Sequence, residues 1–129
     1  MSNIFGIGVD IVETERIRQS IVKYGPSFLE RIFTKAERDY CDQMKKYEIH
    51  YAARFAAKEA VAKSFGTGFG ENIAWSDAEV VRKDSGEPQI VLSGEGKRFA
   101  KENGIIRVLI TLSHSDNYAV ANAIALTAG

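Results

Sequence analysis

The chain has 129 residues, of which 45% are hydrophobic, and its 17 basic side chains balance its 17 acidic ones. This length predicts one domain over residues 1–129, with a core that needs no metal or disulfide to hold it. The net charge of zero argues against nucleic-acid binding, and no apolar run approaches the roughly 20 residues of a membrane span. A single cysteine, Cys41, excludes an intrachain disulfide and, with no signal-peptide pattern, predicts a cytoplasmic protein.

The first half of the chain predicts one strand followed by helices. The β-branched run 4–12 is typical of a buried strand, in which Gly6 and Gly8 indicate the close approach of another backbone or a ligand. Helix signals follow over 13–23, after Gly25-Pro26, after the capping box 34–37, and over 48–65.

The second half predicts hairpins on either side of one more helix. Residues 78–83 and 88–92 form a hairpin around the turn 84–87, and 105–113 and 118–126 form another. Between them Ser93 caps a helix that ends at Asn103. This order predicts an α+β domain with a mainly antiparallel sheet packed against the long helix 48–65.

The long helix carries an alanine-rich stripe that is expected to face the core. By helical periodicity Glu59 lies at the edge of this stripe and Lys63 lies nearer its centre. Two interpretations stay open: Glu59 and Lys63 form a surface ion pair, or Lys63 meets an anion. The stripe consists of Ile49, Ala53, Ala56 and Ala60.

Two more residues could carry chemistry. Asp10 interrupts an apolar strand, so it is either a strand-end residue facing solvent or a metal ligand or base. His114 stands between two serines at the end of a strand, where it either bonds to the local turn or binds phosphate, holds a water or accepts a proton. Together with Glu59 and Lys63, these residues suit Mg²⁺-dependent phosphate chemistry.

Three motifs, in this order along the chain, resemble those of the small bacterial-type 4′-phosphopantetheinyl transferases, the holo-acyl-carrier-protein synthase family. They are Gly-Ile-Gly-Val-Asp-Ile-Val-Glu at 6–13, Arg-Phe-Ala-Ala-Lys-Glu-Ala at 54–60 with Lys63, and Ser-His-Ser at 113–115 followed by Tyr118-Ala119. The resemblance covers essentially the whole chain.

The resemblance implies transfer of 4′-phosphopantetheine from coenzyme A to a serine of apo acyl carrier protein in fatty acid biosynthesis, with release of adenosine 3′,5′-bisphosphate. It makes Asp10 and Glu59 the Mg²⁺ ligands and gives Lys63 the role of neutralising the phosphates. Neighbours of the coenzyme would be Arg54, Lys58 and His114. The acceptor of the serine proton stays open among Glu59, His114 and a water, and a water near Glu59 is favoured. A non-catalytic module that binds a nucleotide or a carrier protein is the alternative.

The resemblance also implies a homotrimer with active sites between subunits. Strand 118–126 alternates alanines with larger residues, and we expect Val120, Asn122 and Ile124 to meet their counterparts around the trimer axis. Because acyl carrier proteins are acidic, the carrier is expected to dock on a local basic patch of the first helix, formed by Arg16, Arg18 and Lys23.

Overall fold

Residues 3–129, the part of the chain that the computed structural model describes, form five strands and five α-helices; Met1 and Ser2 of the predicted domain lie outside it. The α+β expectation is confirmed, and the elements begin and end close to their predicted bounds. In chain order they are β1 (Ile4–Glu13), α1 (Thr14–Tyr24), α2 (Pro26–Ile32), α3 (Lys35–Asp42), α4 (Tyr47–Ser64), β2 (Ala78–Arg82), β3 (Pro88–Leu92), α5 (Gly94–Glu102), β4 (Ile105–His114) and β5 (Tyr118–Thr127).

Two antiparallel sheets are present, a three-stranded one in the order β1-β5-β4 and a two-stranded one formed by β2 and β3. In the larger sheet β5 is central, and its alternate residues face α4 because side chains on a strand alternate between faces. Those residues are the four predicted alanines, Ala119, Ala121, Ala123 and Ala125, and all are buried. The expectation that the long helix packs on this small-residue face is confirmed.

The long helix α4 is the centre of the core. The alanine stripe predicts one buried face, but the structure buries most of the helix, because β1, β5 and β4 pack on one side and α1, α3 and β2 on the others. The expectation that Lys63 lies near the centre of the buried stripe is wrong, since its side chain is 50% exposed. No helix in the described part of the chain has the length and apolar character needed to cross a bilayer.

The first strand lies directly against the backbone of α4. A Cβ atom added to Gly6 would lie 2.0 Å from the carbonyl oxygen of Ser64, and one added to Gly8 would lie 2.0 Å from that of Ala60. The two glycines are therefore required by close approach, as their position in a strand indicates. The prediction of a buried strand holds only for this side, because the large side chains of β1 point away from α4 and are exposed.

A buried ion pair ties three further elements to α4. The carboxylate of Glu37 completes the predicted capping box by accepting a hydrogen bond from the backbone N–H of Thr34 at 2.8 Å, and it also accepts one from Val80 N at 2.8 Å. Its remaining partner is the ammonium group of Lys58, 2.8 Å away, and both side chains are fully buried. One carboxylate thus holds the start of α3, strand β2 and helix α4 together.

The start of α5 differs from the prediction. Ser93 occupies the position before the helix, but its side chain makes no capping hydrogen bond. Instead the carboxylate of Asp77 accepts hydrogen bonds from Gly96 N and Ala74 N, each at 3.0 Å. A residue distant in sequence therefore supplies the cap that local sequence assigns to Ser93.

We expect Gly8→Ala to lower the free energy of unfolding by about 3 kcal/mol or more, because the new methyl group would overlap the backbone of α4. The matched control is Gly104→Ala, where a Cβ would meet nothing within 4 Å and only the positive φ of 71° is unfavourable. That control should lose only about 1 kcal/mol. Chemical denaturation measures both values. Equal losses in the two variants would contradict the close approach of β1 to α4.

Candidate active site

Asp10 follows Gly6 and Gly8, the two glycines at which β1 contacts the backbone of α4. Because strand side chains alternate, Asp10 lies on the same face as Gly6 and Gly8, and its carboxylate is carried to the helix. The ammonium group of Lys63 lies 3.1 Å from Asp10 Oδ1 and donates a second hydrogen bond to the carbonyl oxygen of Val9 at 3.0 Å. Of the two interpretations of Lys63, the contact with an anion is confirmed, and the anion is Asp10.

Glu59 lies one turn before Lys63 on α4 and lines the same cavity as Asp10. Burial raises the pKa of its carboxyl above the usual value, and the negative charge of Asp10 raises it further, while Lys63 acts in the opposite sense. The carboxylates of Asp10 on β1 and Glu59 on α4 therefore line one half-buried cavity. A cation bound between them would relieve their repulsion.

The donor set fits Mg²⁺ better than a metal held by protein ligands alone. Among residues 3–129, no group of three or more His, Cys, Asp or Glu side chains could hold a metal ion. Mg²⁺ commonly binds one or two carboxylates and completes its shell with waters and substrate phosphates. Asp10 and Glu59 supply that number, with the cationic Lys63 beside them for a phosphate.

A cavity of about 480 Å³ opens from these carboxylates along α1. Phe28 and Phe55 line it, together with two of the predicted carrier contacts, Arg16 and Lys23. The third, Arg18, is turned toward Glu15, to whose carboxylate oxygens its Nε donates at 2.9 and 2.8 Å. Of the three cations, Arg16 and Lys23 therefore lie on the cavity, while Arg18 is paired with an acid on its own helix.

Arg54 and His114 line a second cavity, of about 370 Å³, on the other flank of α4. The Arg54 side chain is only 5% exposed, and its guanidinium lies 4.1 Å from the ring centre of Tyr40. Arg82 reaches the same tyrosine and donates from Nη1 to its hydroxyl at 2.6 Å. This cavity therefore gathers positive charge that would suit an anionic group.

Sequence reasoning missed His50 and Arg82, which line this second cavity, and Tyr40, which contacts both of its arginines. His50 and Arg54 are four residues apart on one helix, so their shared face was available from the sequence. The contact of Arg82 with Tyr40 joins residues 42 positions apart, and no local pattern announces it.

Lys58 is not on either cavity, which differs from the prediction that it neighbours the coenzyme. Its ammonium group contacts Glu37 and donates to the carbonyl oxygens of Trp75 and Ala78, each at 2.9 Å. Burial lowers the pKa of Lys58, and the negative charge of Glu37 opposes that shift. With no exposed surface and three oxygen partners, Lys58 has a structural role.

The two groups of site residues lie on opposite flanks of α4. Arg54 and Glu59 are five residues apart, which places them about 140° apart around the helix axis. Asp10 and His114 lie on β1 and β4, the two edges of the larger sheet, with β5 between them. The fold thus brings Asp10, Glu59 and Lys63 together, and Arg54 with His114, but it keeps the two groups apart within one chain.

The face of the larger sheet that points away from α4 is open and largely apolar. It includes the predicted Val120, Asn122 and Ile124 of β5, and it extends across β1, where Ile7, Val9 and Ile11 are 65%, 53% and 66% exposed. Asn122 lies in a row between Val9 and Thr111. Within residues 3–129 no segment covers Asn122, which is exposed.

Comparisons with known proteins identify the family of this chain. Residues 6–123 match the model of the 4′-phosphopantetheinyl transferase superfamily. A holo-[acyl-carrier-protein] synthase from Chlamydia trachomatis serovar L2 is 48% identical over 122 residues, which cover 95% of this chain and 99% of that relative. The fold is similar to the Neisseria meningitidis synthase, with a TM-score of 0.88, 34% identity, and coverage of 95% of this chain and 98% of that one.

A similar structure also contains a ligand. The Bacillus anthracis synthase, solved in complex with CoA (3′,5′-ADP), has a TM-score of 0.83 and 35% identity, with 98% of this chain and 100% of that one covered. The present chain belongs to the 4′-phosphopantetheinyl transferase superfamily. Within that superfamily it is an enzyme of the holo-[acyl-carrier-protein] synthase type.

We expect Lys58→Met to lower the free energy of unfolding by about 3–5 kcal/mol, because it leaves the buried carboxylate of Glu37 without its cation. In protein that remains folded at low temperature, the KM for coenzyme A should stay within about twofold of the wild-type value. Denaturation curves and steady-state kinetics check the two statements. A KM raised about tenfold in folded Lys58→Met would return Lys58 to the coenzyme site.

Proposed function

We propose that this protein transfers 4′-phosphopantetheine from coenzyme A to a serine of an apo acyl carrier protein, with Mg²⁺, in cytoplasmic fatty acid biosynthesis. Adenosine 3′,5′-bisphosphate is the second product. The observation that carries the proposal is the cluster of Asp10, Glu59 and Lys63 beside the cavity, in a chain of the transferase superfamily.

The residues of the cluster have distinct roles in this proposal. Asp10 and Glu59 would hold the Mg²⁺ ion, and Lys63 would contact the pyrophosphate of coenzyme A. When bound, the ion supplies positive charge that polarises the phosphoryl oxygens and stabilises the departing bisphosphate. The ion pair with Asp10 already holds the ammonium group of Lys63 beside the proposed metal ligands, where it would contact the substrate phosphate.

The chemical step needs position and charge rather than an enzyme nucleophile. The carrier serine Oγ attacks the β-phosphorus, a P–O bond forms, and the bond from that phosphorus to the bridging oxygen breaks. The leaving bisphosphate keeps that oxygen and its electron pair. The serine proton passes to a water held near Glu59.

The second cavity suits the other phosphate of the same substrate. Coenzyme A carries a 3′-phosphate monoester as well as its pyrophosphate, and Arg54 and His114 would bind that group. Since α4, about 10 Å thick, separates the two cavities of one chain, we propose that each substrate lies between the Asp10 cavity of one subunit and the Arg54 cavity of the next.

The open sheet face supports a homotrimer that would bring those cavities together. Exposed apolar patches of this kind mark interfaces, and a buried amide must find hydrogen-bond partners. In this proposal the faces of three subunits meet around an axis, with Asn122 at the centre and Val120 and Ile124 on either side. The exposed side chains of β1 extend the same interface.

Incubation of an apo carrier protein with the enzyme, coenzyme A and Mg²⁺ should add the mass of phosphopantetheine to the carrier, as seen by mass spectrometry.

Glu59→Gln should slow this transfer more than about 100-fold. The same variant should raise the melting temperature of the metal-free protein at pH 7, because the raised pKa means that the ionised Glu59 is unfavourable there. The gain should vanish below about pH 4, where the carboxyl is protonated in both states.

An unmodified carrier under these conditions would support the non-catalytic binding module instead. Near-normal turnover of Glu59→Gln at low Mg²⁺ would remove Glu59 from the metal site.

Asn122→Arg should dissociate the trimer, because three like charges would enter one apolar space. Light scattering should report monomers, and transfer should fall at least about tenfold, since the two cavities would no longer share a substrate. The matched control is Gln89→Arg, which places the same charge at an exposed position of β3, in the smaller sheet. An intact and active trimer of the Asn122→Arg variant would contradict the proposed interface.

Arg16→Glu should raise the apparent KM for the carrier about tenfold, while the Kd for coenzyme A stays unchanged, because Arg16 lines the cavity and meets an acidic partner. Arg18→Glu should raise it much less, since the charge of Arg18 is already paired with Glu15. Kinetics at two salt concentrations check both variants. An equal effect of the two substitutions would place the carrier on the outer face of α1 rather than on the cavity.

A further inference from the structure

His50 lies one turn before Arg54 on α4 and lines the same cavity, but the motifs of the sequence give it no role. Its ring packs edge-on against that of His114, with 5.6 Å between ring centres, and against that of Tyr40, at 5.9 Å. Its carbonyl oxygen lies 3.5 Å from Nη1 of Arg54. An imidazole is thus held by its neighbours at the wall of the proposed phosphate site.

The groups that face His50 are mostly cationic. Burial lowers the pKa of His50 below its usual value, and the positive charges around it lower the pKa further, opposed by one acid. The side chain is therefore uncharged at neutral pH. The facing groups are Glu48 and Arg54 of α4, Tyr40 of α3, Arg82 of β2 and His114 of β4.

Arg54 gives a second and independent indication of an anion in this cavity. Its side chain is almost fully buried, yet its Nε has no hydrogen-bond partner among residues 3–129. A buried charged donor without an acceptor is unfavourable, and the hydrogen bond that the same guanidinium donates to the His50 carbonyl, 3.5 Å long, comes from Nη1 rather than from Nε. An oxyanion beside Arg54 would accept that hydrogen bond and would also reach the imidazoles.

We propose that His50 is a phosphate-binding residue, and that it takes up a proton when a phosphate monoester enters this cavity. The inference rests on the proposed function, in which the 3′-phosphate of coenzyme A lies beside Arg54 and His114. A phosphate monoester is close to a dianion at neutral pH, because its second pKa is about 6. Its charge outweighs the repulsion from the nearby cations and favours the imidazolium form of His50.

Uptake of a proton makes the affinity for coenzyme A depend on pH. If binding takes up one proton, the Kd rises up to about tenfold for each pH unit above the point at which free His50 loses its proton. Below about pH 6 the phosphate itself becomes protonated, which opposes further gain. The affinity should therefore be highest near pH 6 and should fall toward pH 8.

The two histidines of the chain make a direct test possible, since the imidazole NMR spectrum contains two sets of signals and the His50→Phe variant assigns them. Each set is followed against pH in the free protein and with coenzyme A, 3′-dephospho-coenzyme A or inorganic phosphate. Coenzyme A should raise the titration midpoint of His50 by about one pH unit, and 3′-dephospho-coenzyme A by less than about a third of that. Inorganic phosphate at equal concentration should have a smaller effect than coenzyme A.

Calorimetry on the same proteins gives the second readout. Between pH 6.5 and 8 the Kd for coenzyme A should rise about threefold in the wild type and less than about 1.5-fold in His50→Phe. An unmoved His50 midpoint while coenzyme A binds and shifts the His114 signals would overturn the inference and leave the proposed function standing. An equal shift with 3′-dephospho-coenzyme A would also overturn it. Failure of coenzyme A to bind at all would overturn the proposed function together with the inference.

Discussion

The close approach of β1 to α4 is the constraint on which the rest of the site depends. Because Gly6 and Gly8 have no side chains, the strand lies on the helix backbone, and a Cβ at either position would overlap a carbonyl oxygen. The next residue on that face is Asp10, which the same alternation carries to Lys63. The alternation of side chains along β1 thus provides both the close packing of the strand on α4 and the placement of the Asp10 carboxylate beside Lys63.

Helix α4 separates the functional groups as well as positioning them. Alanines let the larger sheet pack on one side of the helix, and the charged groups of the two cavities lie along its flanks, with Glu59 and Lys63 beside β1 and Arg54 beside β4. In the proposed function, a substrate with two separate phosphate groups would contact these two flanks on different subunits. The open apolar face of the sheet supplies a physical reason for subunits to assemble, and assembly would then be a condition of catalysis.

The sequence predicted the elements well because caps, glycines and periodicity are local signals. It grouped Asp10, Glu59 and Lys63 with His114, whereas the structure places His114 on the other flank of α4. It did not predict the burial of Lys58, because helical periodicity identifies the faces of a helix but not the elements that pack on each face. The partner, Glu37, already has a local explanation in its capping box, so nothing in the sequence pointed to a second contact with Lys58. The apolar run 4–12 indicated a buried strand. In the structure the glycines of this strand face α4, and its large apolar side chains lie on the opposite, exposed side. Arg82 lines the second cavity and contacts Tyr40, 42 positions earlier in the chain, and a contact of that kind leaves no local signature.

The most direct test of this account is the binding of Mn²⁺, a spectroscopic substitute for Mg²⁺ at oxygen ligands, measured by electron paramagnetic resonance in the presence of coenzyme A. The account predicts one ion per chain in the wild type, with the affinity lowered at least about tenfold in Asp10→Asn and also in Gly8→Ala, where the ligand remains but its position is lost. Equal Mn²⁺ affinity in the wild type and in Asp10→Asn would contradict it.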